Sequence, residues 1–165
     1  MSDAFEIMRP RLIELLPRLR RFARNLTRQP DDADDIVQVA LERALTRCEQ
    51  WDANSRLDSW MFGIVRNAWI DELRSRQRRG THLDVDELGE TVSGDRDIPE
   101  IETMSIEAAM AQLPEEQRTA VSLVLVEGLS YKEAAQVMEI PIGTLTSRLA
   151  RGRETLQTLL GGTSS

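Results

Sequence analysis

Residues 81–107 carry nine acids against Arg96 alone, a net of −8, and Gly80, Gly89, Gly94 and Pro99 are spread through the same part of the chain. A stretch this charged, broken by Gly and Pro, holds too little apolar surface to repay the entropy of ordering it. Residues 80–104 are therefore read as an acidic flexible linker. It leaves two pieces, 5–79 and 105–160, each long enough for only a small core. Aromatics supply 4% and charged residues 30% of the 165 residues, which suits solvated helices better than a β-sandwich. The expected fold class is all-α: two small helical domains joined by that linker.

Several functions are closed by what is scarce. One cysteine, Cys48, cannot form an internal disulfide, and with one histidine, His82, there is no zinc cluster. Cys48 is expected to be a small apolar side chain on a helix, and His82 a solvated linker residue. No Gly-rich phosphate loop and no Ser/His/Asp grouping can be assembled, so an enzyme is not expected, nor a cofactor or a metal. The longest near-continuous apolar run, Ala120 to Val126, falls far short of the ~18 to 20 residues that span a bilayer. Asp3 and Glu6 stand where a signal peptide has basic and then apolar residues. A cytoplasmic protein is expected.

The formal net charge of −7 argues against a protein that coats DNA, but the charge is unevenly placed. Residues 1–30 sum to +4, 59–80 to +3 and 141–165 to +2, whereas 31–58 sum to −5 and 108–140 to −3. Outside the −8 stretch the chain sums to +1. The acidity is concentrated in the tether, and basic blocks lie on either side of it.

Apolar residues recur at helical spacing in the first piece. Leu12, Leu15, Leu16, Leu19, Phe22, Ala23 and Leu26 make one stripe, with arginines around the rest of the helix, and Gln29-Pro30 ends it. A second helix is expected to open at Asp31 or Asp32, with Ile36, Val37, Ala40, Leu41, Ala44 and Leu45 inward. After a loop from Asp52 to Leu57, Asp58 is expected to cap a third helix that turns Trp60, Met61, Ile64, Val65, Ala68, Trp69 and Leu73 inward. Three such helices form a small bundle.

In the second piece Ile106, Ala109, Met110 and Leu113 are spaced for a short helix, and Pro114-Glu115-Glu116 starts another that runs through Leu125 and stops at Gly128. Ser130-Tyr131-Lys132-Glu133 reads as a capping box for a helix ending near Met138. A turn from Glu139 to Gly143 then leads to a final helix with Leu145, Leu149, Leu156, Leu159 and Leu160 inward. A short capped helix, a tight turn and a longer helix make a helix-turn-helix, the arrangement that sets its second helix in a DNA major groove. Small Ala135 lets the two helices approach, and Leu145 plugs the space between them. Thr144, Ser147, Arg148, Arg151 and Thr155 gather on the far side, a donor-rich face in an acidic protein. Any amphipathic surface helix has a polar face; this one holds only Glu154 as an acid, and its N-terminal amides near Gly143 and Thr144 suit a phosphate.

The third helix offers another surface. Asn67, Asp71, Arg74 and Arg78 share a face, with Arg66, Arg76 and Arg79 flanking. The loop before it supplies Asn54, Ser55, Arg56 and Ser59, followed by Trp60. Phosphate partners beside hydrogen-bonding groups could hold an extruded base. Trp60 and Trp69 stand at core spacing, which favours packing over stacking, and the arginines could equally be a solvated face.

These residues resemble a known family. Asp34-Asp35-Ile36-Val37-Gln38, then Leu41-Glu42-Arg43-Ala44, then Ser59-Trp60-Met61-Phe62-Gly63-Ile64-Val65-Arg66-Asn67 belong to the first piece. In the second, Leu113-Pro114, Glu127-Gly128-Leu129-Ser130-Tyr131-Lys132-Glu133-Ala134-Ala135, Pro141-Ile142-Gly143-Thr144-Leu145 and Ser147-Arg148-Leu149-Ala150-Arg151-Gly152-Arg153 follow in the same order as in the extracytoplasmic-function sigma factors of bacterial RNA polymerase. The resemblance implies a sigma2-like bundle over 5–79 and a sigma4-like helix-turn-helix domain over 105–160.

By that resemblance, Asp35, Gln38, Leu41 and Glu42 would dock on the clamp helices of the polymerase core enzyme. Asn54, Ser55, Arg56, Ser59, Trp60, Arg66, Asn67, Asp71, Arg74 and Arg78 would read and melt the minus-10 element of promoter DNA. Thr144, Thr146, Ser147, Arg148, Ala150 and Arg151 would read the minus-35 element. The acidic linker would pass through the RNA exit region, and an anti-sigma factor would be a further partner. Val39 stands where the family usually has an acid, and Thr146 and Ala150 where some members have Arg and an aromatic. Two other readings are open: a sigma-like decoy that sequesters an anti-sigma factor, and a stand-alone helix-turn-helix regulator. The decoy need not keep Arg66, Asn67, Ser147 and Arg151, and the regulator leaves the first piece unexplained.

Overall fold

The structure, a computed structural model, describes residues 3–80 and 104–161; the acidic stretch, His82 included, falls almost wholly outside these residues. Among the described residues there are seven α-helices and no strand, as the all-α reading expects. The first unit holds α1 (Asp3–Thr27), α2 (Pro30–Thr46) and α3 (Leu57–Arg78). The second holds α4 (Ile106–Gln112), α5 (Glu115–Val121), α6 (Tyr131–Met138) and α7 (Ile142–Leu159).

The stripe of α1 buries Leu12, Leu19, Phe22, Ala23 and Leu26, but the helix begins a full two turns before Leu12 and also buries Met8. Pro10 and Pro17 lie inside it, both exposed, so the carbonyls they leave unbonded face water rather than core. Pro30, not Asp31 or Asp32, is the first residue of α2: its fixed φ suits that position, and the two aspartates fall in the first turn, beside the positive end of the helix. Ile36, Val37, Ala40 and Ala44 are buried as expected, whereas Leu45 is 38% exposed at the last turn, beyond the reach of α1 and α3. Cys48 is buried, though in a 3-10 turn, Cys48–Gln50, rather than on a helix. Phe22 and Phe62 meet edge to face at 5.1 Å, joining α1 to α3 at the centre.

In the second unit α4 is capped by Ser105, whose hydroxyl accepts from the Ala108 amide, and its inward set is Ala109, Met110 and Leu113. Ile106, expected inward, is 66% exposed because the first turn of so short a helix overhangs its neighbours. The helix through Val121 changes to a π-helical turn over Ser122–Val126, with the Glu127 amide donating to the Ser122 carbonyl at 2.8 Å. The extra residue per turn leaves Leu125 exposed and brings Glu127 inward. Gly128, at φ +81°, then reverses the chain.

The capping box is present: the Glu133 amide donates to Ser130 Oγ at 3.0 Å and the Ser130 amide to Glu133 Oε1 at 2.9 Å. Leu145 is fully buried and Ala135 nearly so, which fits the two roles that the helix-turn-helix spacing gives them. Gly152 carries a constraint with no periodic signal. A Cβ there would lie 2.7 Å from Val121 Cγ2, so α5 and α7 touch backbone to side chain at this point.

Gly152→Ala is therefore expected to destabilise the chain by roughly 1 to 3 kcal/mol despite the better helix propensity of Ala. Gly63→Ala in α3, where nothing lies within 4 Å of the added Cβ, is expected to stabilise by about 0.5 to 1 kcal/mol. Urea unfolding of the two variants side by side checks both signs.

Candidate nucleic-acid interface

The loop that leads into α3 is organised by Asp52. Its carboxylate accepts from the Asn54 amide at 3.0 Å, and its carbonyl accepts from the Ser55 hydroxyl at 2.7 Å. Asn54, Ser55 and Arg56 are thereby exposed as one edge. Arg56, not Asp58, is the N-cap of α3, and it makes no side-chain capping bond. Asp58 lies one residue inside the helix, buried, where Oδ1 accepts from the Ser59 amide at 2.7 Å and from Arg56 Nε at 3.1 Å.

A cavity of about 500 Å³ opens beside this edge, between the two units, with Glu133, Gln136 and Val137 of the second completing its wall. Ser55, Arg56, Ser59, Trp60 and Asn67 all line it. Trp60 packs partly against the core and lies 6.5 Å from the Trp51 ring, so one edge is structural and the rest borders the cavity. Ser59 Oγ is buried without a hydrogen-bond partner. A second cavity of about 750 Å³ takes Arg66, Asn67, Asp71, Arg74 and Arg148. Arg78 is exposed and lines neither. Asp71 is paired with Arg43 at 3.0 Å, and Trp69 is buried beneath the Arg76 guanidinium.

On α7, Thr146, Ser147, Ala150 and Arg151 are exposed and Thr144 and Arg148 half-buried. The Thr146 hydroxyl donates to its own helix, at the Ile142 carbonyl, and Thr155 does the same at Arg151. Arg148 leans 3.7 Å from Glu116. Ser147 and Arg151, one turn apart, are left as donors that point to solvent. On α2, Asp35, Gln38 and Glu42 are exposed and Leu41 half-buried. Gln38 and Leu41 line a groove of about 580 Å³ between α1 and α2 with Leu16, Arg20 and Arg24; Asp35 and Glu42 stand outside it. Val39, where the family pattern expects an acid, packs against the core.

The two units are packed together over one continuous apolar core, and an ionic cluster stands within the contact. The Glu127 carboxylate, fully buried, accepts from Arg21 Nε at 2.9 Å, from an Arg21 terminal nitrogen at 2.8 Å and from Arg18 Nε at 3.2 Å. Arg18 also reaches Asp58 at 3.2 Å and the Glu127 carbonyl at 2.6 Å. Arg56 bridges Asp58 at 2.6 Å and Glu133 at 3.3 Å. Glu133 thus serves the capping box and the contact between units at once. Elsewhere along the seam, Arg66 donates to the Val137 carbonyl at 3.4 Å. Arg118, 4% exposed, donates to the Asn25 and Leu113 carbonyls at 2.5 and 2.6 Å.

These partners set the proton affinities. Hydrogen bonding to Glu127 raises Arg21, and hydrogen bonding to Asp58 raises Arg56. Burial pushes Arg66 down, and pushes Arg118, with Arg28 nearby, down to about 10. For Asp58, burial alone would raise the carboxyl, but the Arg56 guanidinium, the Ser59 amide and Arg18 together hold it below the ordinary range. Periodicity gave no hint of Arg18, Arg21 and Glu127 as a set, because Glu127 lies more than a hundred residues from the two arginines and each reads as an ordinary surface charge.

The structure thus has a helical bundle with a polar face at the head of α3 and a helix-turn-helix unit with a donor-rich second helix, the pairing that a sigma factor of RNA polymerase uses. Residues 12–79 match the family description Sigma-70 region 2, and residues 103–156 match Sigma-70, region 4. The chain is 35% identical over 153 residues to the ECF RNA polymerase sigma factor EcfG of Rhodopseudomonas palustris, covering 93% of this chain and 84% of that one. It is 30% identical over 139 residues to SigW of Bacillus subtilis, covering 76% and 74%. It also superposes, with a TM-score of 0.75 and 30% identity over 95% of this chain and 98% of the other, on the sigma factor RpoE of Bartonella quintana, solved in complex with the anti-sigma factor NepR. The chain belongs to the ECF sigma factors of RNA polymerase, and it directs transcription initiation.

Because the carboxyl of Asp58 is held below its unfolded value, its contribution to stability is fully present above about pH 4 and is lost as pH falls through its folded pKa. Asp58→Asn is expected to lower stability at neutral pH and to flatten its dependence on pH below about pH 4. Thermal unfolding of both proteins across that window checks the prediction.

Proposed function

We propose that this chain selects promoters through two separate reading surfaces, with Ser55, Arg56, Ser59, Trp60 and Asn67 engaging the minus-10 element and Ser147 and Arg151 the minus-35 element. The observation that carries the reading is that each unit presents its own set of polar side chains, the first at the head of α3 and the second along the outer face of α7. Asn54 extends the loop edge, while Arg66, Arg74 and Arg78 flank it along α3 as backbone contacts and Asp71, paired with Arg43, stands among them as a hydrogen-bond acceptor for a base. On α7, Thr144, Thr146, Arg148 and Ala150 border the same groove-facing side. Gln38 and Leu41 make the centre of the polymerase contact, and Asp35 and Glu42 its rim. Domain limits of 5–79 and 105–160 follow from the same division of labour. The chain acts as a regulator of polymerase rather than as a catalyst, in the cytoplasm; among the described residues no helix is long and apolar enough to cross a membrane.

Both elements cannot be read while the units are packed. Their centres are about 25 base pairs apart, or about 85 Å of duplex, whereas α6 lies against the loop before α3 through the Arg56–Glu133 pair. Promoter binding therefore requires the units to part, and residues 81–103, at about 3.5 Å each, can span about 80 Å. The packed form suits another partner. RpoE of Bartonella quintana, which this chain matches over both units, was captured with an anti-sigma factor. An anti-sigma factor that holds the packed form is the partner this reading expects. A decoy has no need of solvent-facing Ser147 and Arg151, which disfavours that alternative.

Run-off transcription with core polymerase tests the reading: a promoter-dependent transcript is expected, and none from any promoter tried would reject it. Arg151→Ala is expected to weaken minus-35 engagement by roughly 1 to 3 kcal/mol, with unfolding unchanged. Competition binding with minus-35 fragments measures the loss.

A further inference from the structure

Glu127 and Glu133 of the second unit rest on three arginines of the first, Arg18 and Arg21 of α1 and Arg56 before α3. Glu127 is held as a bound oxyanion would be. Arg21 meets its two oxygens with two nitrogens, at 2.9 and 2.8 Å, and Arg18 meets one oxygen and the backbone carbonyl. Such forked donors accept carboxylate and phosphate alike.

Within the first unit this set has one carboxylate, Asp58, which pairs with Arg18 and Arg56. Arg21 pairs only with Glu127 among the described residues. Removing the second unit therefore leaves three guanidiniums against one acid, a local excess of positive charge. That excess adjoins the face formed by Ser55, Ser59, Trp60 and Asn67, because Arg56 belongs to both. A nucleic-acid strand whose base met this face would carry its phosphates past these arginines.

We propose that Arg18, Arg21 and Arg56 form a backbone-phosphate site for promoter DNA, which Glu127 and Glu133 occupy as phosphate mimics whenever the two units are packed. The proposal rests on the sigma-factor reading. Packing and DNA then compete for the same three guanidiniums, so the free chain binds DNA weakly through occupancy of the site and not only through net charge.

The test uses holoenzyme made from the full chain and core polymerase, binding a promoter fragment with a single-stranded minus-10 non-template strand over a range of salt. Arg21→Ala, at an exposed position, is expected to reduce the slope of log affinity against log salt by about 0.7 to 1, the loss of one phosphate contact. In the free chain, Glu127→Gln with Glu133→Gln, the latter keeping an oxygen for the Ser130 amide, is expected to bind the same strand several-fold more tightly. Adding Arg21→Ala is expected to remove most of that gain. An unchanged salt slope in a holoenzyme that still selects its promoter overturns this proposal and leaves the sigma-factor reading standing. A weaker affinity for core polymerase at an unchanged slope assigns the arginines to a protein partner and overturns it equally. Failure of the unaltered holoenzyme to select any promoter overturns the reading and the proposal together.

Discussion

A carboxylate buried without partners costs several kcal/mol, and Glu127 is buried completely. It is tolerable only because Arg18 and Arg21 of the other unit supply its hydrogen bonds. The packed position of the second unit against the first depends on this constraint together with the apolar core the units share, since a packed arrangement that buried Glu127 away from these arginines would strand the charge. Once Glu127 is docked, α6 lies over the loop before α3, Glu133 meets Arg56, and the wall of the cavity is completed by Gln136 and Val137. The π-helical turn before Glu127 contributes by delivering the carboxylate inward at the end of α5, where a regular helix would have turned it elsewhere.

Beside the apolar core that the units share, the ionic part of the contact suits a seam that must open. Apolar interfaces gain from burial in every solvent-excluded state, whereas a charge pair can be replaced by another charge of the same sign at little net cost. Here the replaceable acids are Glu127 and Glu133, and the residues they cover are arginines that a sigma factor can use on DNA. Arg118 works differently. It is bound to backbone carbonyls of both units, at Asn25 and Leu113, and supplies a neutral-acceptor contact beside the ionic one.

Much of this was legible in the sequence because helices announce themselves locally. The stripes of α1 to α3, the Ser130–Glu133 capping box and the Ala135–Leu145 fit are short-range patterns, and the structure has them. Ser55, Arg56, Ser59, Trp60 and Asn67 read as one surface from the sequence and line a common cavity with residues of the second unit. What escaped was long-range or a matter of one residue's position. Asp58 looks like a cap from its place before Trp60, yet the helix starts at Leu57 and the carboxylate turns to Arg18 and Arg56. Ile106 has the right spacing and no neighbour to bury it. The pairing of Arg21 with Glu127 joins positions 106 apart, and no periodicity encodes it.

The central claim is that one arginine surface is covered by the second unit in the free chain and uncovered on the promoter. Spin labels at Glu14→Cys and Lys132→Cys, both exposed, in a chain with buried Cys48 replaced by Ala, measure the separation of the units directly. The account predicts one short distance population in the free protein and a shift of tens of ångströms, roughly the spacing of the two promoter elements, when core polymerase and promoter DNA are added. The same short distance in the promoter-bound holoenzyme would contradict it.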